Sequence, residues 1–157
     1  MKITVLAVGK TDRKELQQLM DVYRKRLTHY IKFEIKIVPD IKNVKNLSMA
    51  EQKKKEGEAI LNEVSSSDVL VLLDERGKQF SSKELSVSLQ KRMNSGIKNL
   101  VFVIGGPYGF SDTVYQKALQ EISLSKMPFS HQMIRLFFVE QLYRAFTILR
   151  NEPYHHQ

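Results

Sequence analysis

The chain of 157 residues contains no cysteine. That excludes disulfide bonds, a thiol nucleophile, and zinc or iron–sulfur sites held by cysteine. Long apolar runs are missing as well. The first strand-like run, Ile3 to Val8, is too short for the apolar core of a signal peptide, and no stretch is long enough to span a bilayer. The expectation is a soluble, cytoplasmic protein of bacterial type. Histidine is scarce. His29, His131, His155 and His156 show no metal-ligand spacing, so no metal is expected. No Ser/His/Asp order and no pair of carboxylates stands out, which leaves hydrolase chemistry unsupported.

What remains is a globular composition, with 42% hydrophobic and 27% charged residues. The length suits one domain over residues 1–157, with no room for a separate RNA-binding module. A net charge of +8 and a pI of about 9.6 suggest a polyanionic partner without identifying it. Lys53-Lys54-Lys55 reads as the solvated face of an amphipathic helix rather than a phosphate clamp.

Short β-branched runs alternate with helical patterns. Strands are expected at Ile3–Val8, Phe33–Val38, Val69–Leu73, Leu100–Ile104 and Ile122–Leu124. Helices are expected at Arg13–Leu27, Met49–Val64, Ser82–Asn94 and Asp112–Leu119, with a long final helix from near His131 to about Arg150. Ser48 with Glu51 and Ser81 with Glu84 have capping-box spacing, and Ser111 and Ser130 are further cap candidates. Gly96 suits a helix end. The alternation predicts an α/β fold with a mostly parallel sheet and flanking helices. Ligands in such sheets bind beyond the carboxyl ends of the strands, where the loops Asp74–Phe80, Gly105–Phe110 and Ser125–Ser130 would gather. The final helix carries an apolar arc of about half its circumference, wider than the usual core-facing stripe. The sheet would cover one side and a second subunit the other. Glu140 and Arg144 form an i, i+4 pair, whereas Arg135 falls inside the arc and needs a partner or a task.

Ile104-Gly105-Gly106-Pro107-Tyr108-Gly109 lacks the Gly-Lys-Ser/Thr end of a phosphate loop, and it does not follow the first strand as a dinucleotide fingerprint should. Taken alone it reads first as a tight turn in which glycines permit positive φ and close backbone approach.

The order of motifs says more. The opening M-K-I-T-V-L-A-V-G-K, then L-D-E-R-G-K, F-V-I-G-G-P-Y-G, L-S-K-M, H-Q-M-I-R, E-Q-L-Y-R-A-F and the final Y-H resemble the RlmH-type ribosomal RNA methyltransferases of the SPOUT superfamily. The resemblance runs over almost the whole chain. It implies a homodimer with a C-terminal trefoil knot that methylates N3 of a conserved pseudouridine, in the helix sixty-nine hairpin of 23S rRNA in the large ribosomal subunit, using S-adenosylmethionine. By the same resemblance the cofactor pocket takes Leu73, Gly105, Leu124, Ser125, Lys126, Met127, Pro128 and Phe129. The tail motif falls on Tyr154 and His155. His155 is the candidate for assisting loss of the N3 proton, and Tyr154 for positioning the base. Arg144 is a candidate for both catalysis and RNA contact. Arg135 and His156 are candidate RNA contacts, with intersubunit ion pairing the alternative for Arg135 and Arg144. Two departures from the family pattern stand out: Ser130 replaces a proline before His131, and His156 replaces a lysine or arginine. A non-catalytic RNA- or ribosome-binding module on the same scaffold, or a small-molecule nucleotide enzyme, are the rival readings.

Overall fold

A computed structural model describes residues 1–156. Five strands form one sheet: β1 (Lys2–Val8), β2 (Lys32–Val38), β3 (Val69–Gln79), β4 (Asn99–Ile104) and β5 (Gln120–Ser123). The order across the sheet is β2-β1-β4-β3-β5, and every neighbouring pair is parallel. Five α-helices connect or follow them: α1 (Lys14–Leu27), α2 (Met49–Asn62), α3 (Ser82–Asn94), α4 (Asp112–Lys117) and α5 (Met133–Leu149).

Alternation along the central strands builds two cores. Ile3, Val5 and Ala7 of β1 join Leu100, Phe102 and Ile104 of β4 on the face covered by α1, α3 and α5. Leu6, Val8, Val101 and Val103 point the other way, toward Ile60 of α2 and Val114 of α4. Such strands, apolar on both faces, are what a covered parallel sheet requires. The helices begin where their capping residues stand. Ser81 and Glu84 make the full reciprocal box, Ser48 accepts from the Glu51 N–H, and Ser111 accepts from the Val114 N–H. Gly96, at φ +80°, follows the end of α3.

Two expectations need correction. β3 does not stop at Leu73. It bows out over residues 74–77 and rejoins β5 at Lys78 and Gln79, so most of the expected loop Asp74–Phe80 is an interrupted strand. Its polar residues hid the continuation, because a bulged edge pairing needs no apolar alternation. Moreover, the wide apolar arc of α5 is largely covered within the chain, by α1 on one flank and α3 on the other.

The path after β5 matters most for the site. β5 is an edge strand, yet Gln132 reaches the far side of β4: its Nε2 donates to the Lys10 carbonyl at 3.0 Å, and its Oε1 accepts from the Asp12 N–H at 2.9 Å. The segment 124–132 therefore crosses the carboxyl ends of β3 and β4 to reach the end of β1.

Candidate active site

That crossing encloses a cleft of about 760 Å³ at the carboxyl ends of β3, β4 and β5. Leu73 ends the first half of β3, Gly105 follows β4, and Leu124 follows β5. All three line the cleft, together with Ser125, Met127, Pro128 and Phe129. Lys126, expected with them, is exposed and does not line it. Ile104, Ile122 and Ile134 supply apolar wall, while Asp74, Arg76, Lys53 and His131 bring polar groups. The size and mixed lining suit a small organic ligand.

Close packing, rather than positive φ, accounts for the paired glycines. Among the glycines of this loop only Gly109, at φ +81°, occupies the left-handed region. A Cβ on Gly105 would stand 2.9 Å from the ring of Phe110, which is itself buried beneath the turn. A Cβ on Gly106 would stand 2.6 Å from Glu56 Oε1. The turn is thus pressed onto α2 and onto its own aromatic anchor. Phe110 in turn meets Tyr115 edge-on, with ring centroids 5.8 Å apart.

Arg135 overturns its expected role as an RNA contact. Its side chain is 0% exposed and bonds only within the chain. Nη2 donates to the Val8 carbonyl and Nη1 to the Gly9 carbonyl, both at 2.7 Å, with Thr11 Oγ1 3.1 Å from Nη1 and the His131 carbonyl 3.0 Å from Nε. Burial pulls the guanidinium pKa down, and the charges of Asp12 and Asp40 oppose that shift. This arginine closes the open end of β1 and ties the first turn of α5 to it. It has nothing to offer RNA or a partner's charges.

The tail lies elsewhere. Tyr154 folds back on α5, its hydroxyl donating to Glu140 Oε1 at 2.8 Å and its ring meeting Tyr143 edge-on at 4.7 Å. The Arg144 guanidinium covers the Tyr154 ring at 4.9 Å, donates to Glu140 at 2.7 Å, and places Nη1 3.2 Å from His155 Nδ1. Burial, and then the bond to Glu140, push the Tyr154 phenol well above the usual tyrosine range, so it stays a neutral O–H donor. Because Arg144 is only a donor, His155 Nδ1 acts as the acceptor of that bond. His156 is exposed. Glu152 also anchors the tail, accepting from the Tyr30 hydroxyl at 2.7 Å. Arg144, Tyr154 and His155 thus form one cluster, but none of them lines the cleft of their own chain. Among the described residues no group of three acidic or histidine side chains is placed to hold a metal ion.

Sequence reasoning missed Asp74, Tyr115 and Glu56. The first two converge from β3 and α4 through a hydrogen bond between residues 41 apart. Asp74 falls in the motif L-D-E-R-G-K, but nothing in the chain order says what it touches.

Residues 1–155 match the family described as Predicted SPOUT methyltransferase. In backbone shape the chain resembles a crystal structure of a probable methyltransferase from Bordetella pertussis, with a TM-score of 0.56 over 92% of this chain and 94% of that one. At 8% identity, that likeness speaks for the fold alone. The chain belongs to the SPOUT methyltransferases, enzymes whose methyl donor is S-adenosylmethionine. Within them it groups with the proteins named ribosomal RNA large subunit methyltransferase H. It is 68% identical to that of Flavobacterium johnsoniae, 64% to that of Christiangramia forsetii and 60% to that of Parabacteroides distasonis, each over the full length of both chains.

Proposed function

We propose that the chain, acting as a single domain over residues 1–157, transfers a methyl group from S-adenosylmethionine to N3 of a conserved pseudouridine. The target lies in the helix sixty-nine hairpin of 23S rRNA, in the large subunit or assembled ribosome, and the reaction takes place in the cytoplasm. One observation carries the reading: a chain similar throughout to ribosomal RNA methyltransferases brings Leu73, Gly105 and Leu124 together in one cleft at the carboxyl ends of three adjacent strands. The cleft fits the donor. Ile104, Ile122 and Ile134 give apolar wall for a purine, and the turn at 105–106 and the segment after β5 border it. The donor contributes a methyl group already activated on a sulfonium, so the protein's work is mainly alignment and exclusion of water.

The tail cluster is the second half of the site. From Ile134 at the cleft to Arg144 is ten residues of helix, roughly 15 Å of rise. That separation favours a homodimer in which the tail of one protomer serves the cleft of the other. Tyr154, its hydroxyl proton committed to Glu140, then presents its ring to the base. His155, held beside the Arg144 guanidinium, is the candidate for assisting loss of the N3 proton. Arg144 holds both residues in place. The crossing of segment 124–132 over the strand ends is also what a trefoil knot requires of this part of the chain.

The test is direct. Ribosomes from cells lacking the modification are incubated with the protein and methyl-labelled donor, and the rRNA is mapped by mass. A single added methyl on the hairpin pseudouridine is expected. Tight binding to the ribosome with no transfer would establish the non-catalytic module instead.

A further inference from the structure

Between the two paired halves of β3 the backbone bows outward over residues 74–77. The return is tight, since a Cβ on Gly77 would lie 2.6 Å from the backbone of Glu121 and Ile122. The bow carries Arg76, with 78% of its side chain exposed. It stands on the ridge between the cleft and a second groove of about 550 Å³ whose lining includes Lys78 and Glu121.

An exposed arginine ordinarily samples many rotamers and loses that freedom on making any contact. Arg76 is already held. Its Nη2 donates to the Tyr115 hydroxyl at 3.1 Å, its guanidinium lies 6.0 Å from the centre of the same ring, and its Nε is 3.7 Å from Asp74 Oδ1. The Asp74 carboxylate, only 8% exposed, is committed to this arrangement. Oδ1 accepts from the Arg76 backbone N–H at 2.9 Å, and Oδ2 accepts from the Tyr115 hydroxyl. An ion pair whose cation is this exposed adds little to stability, so stability alone is a weak reason for three groups to fix one another. Among the described residues Arg76 Nη1 has no hydrogen-bond partner. A guanidinium oriented in advance, with an open nitrogen, is the group best shaped to take an anionic oxygen pair. Lys53 lines the same cleft and adds a second cation, while Glu75 is the nearest acid in sequence and is itself exposed.

We propose that Arg76 binds a backbone phosphate of the RNA strand at the mouth of the cleft, with Tyr115 and Asp74 as its positioning residues. The inference rests on the RNA methylation proposed above. The donor carries no phosphate, and its one anionic group, a carboxylate, is separated from RNA by the experiment.

Methylation of unmodified ribosomes is measured across a salt series for wild type, Arg76→Ala, Tyr115→Phe and the double variant, with donor affinity read by calorimetry. Arg76→Ala should raise the KM for ribosomes by about tenfold and make its logarithmic salt dependence shallower by about one. Tyr115→Phe should raise KM less, and the double variant should be no worse than Arg76→Ala, because the two act as one unit. An Arg76→Ala protein with wild-type KM and salt slope overturns the proposal while RNA methylation stands. Loss of donor affinity in that variant overturns it in favour of the donor's carboxylate. A wild-type protein that methylates no RNA removes both readings together.

Discussion

Glu56 projects from α2 under the glycine turn, 5% exposed, with Oε1 lacking any hydrogen-bond partner among the described residues. Gln52 reaches only Oε2, at 3.4 Å. Burial raises the Glu56 pKa above the ordinary carboxyl value, the bond from Gln52 opposes that shift, Asp40 adds to it and His131 works against it. The folded state therefore holds this proton more tightly than the unfolded chain. Its contribution to stability is complete below about pH 4.5 and declines as pH rises through the folded value. Glu56→Gln, which keeps the shape and cannot ionise, should gain stability relative to wild type on going from pH 4.5 to pH 8. Urea midpoints of both proteins at the two pH values decide the matter, and an identical gap at both would remove Glu56 from the pH dependence. At this scale the sequence showed which residues were unusual without showing their partners. Arg135 was conspicuous as a charge in an apolar arc. Periodicity cannot distinguish a phosphate from the carbonyls of Val8 and Gly9, which lie 127 and 126 residues away.

Among the elements, α5 shows best what a pattern can and cannot settle. Its helical extent and wide apolar arc were legible, and so were the other four α-helices, the parallel sheet, and the loops after β4 and β5, though not the continuation of β3 through Gln79. Strand order was not, because insertion of β4 between β1 and β3 leaves no mark on local periodicity. Nor was it legible that α1 and α3 would take up most of the arc. What they leave is small: Phe137, 39% exposed, with Met133 beside it and the Phe129 ring 5.1 Å from Phe137. Next to them lies the outer edge of α5, with Glu140, Gln141 and Arg144 half-buried. This strip is the surface expected to meet a second copy. Phe137→Lys should convert a dimer at micromolar concentration into a monomer with native circular dichroism, as read by light scattering. A wild-type chain that is monomeric under those conditions would sink the homodimer.

For the molecule as a whole, the separation of cleft and tail makes a prediction that neither part makes alone. Gly105→Val would drive a side chain against Phe110 and spoil the cleft. A chain ending at Pro153 would lack Tyr154 and His155 but keep the cleft. Each should be inactive as a homodimer. Mixed and refolded together, the two should recover up to about a quarter of wild-type activity, since random pairing makes half the dimers mixed and each mixed dimer holds one complete site. Complementation that never rises above background would place tail and cleft in the same protomer.

The Arg135 clasp also has a consequence for how the protein comes into being. It joins the end of the first strand to the beginning of the last helix, so the chain must close a loop of more than 120 residues before those carbonyls find their donor. Contacts of such long range form late and slowly. During synthesis the carboxyl end of β1 therefore stays uncapped until the first turn of α5 has been made, and the pocket that Ile134 helps to wall is completed only then.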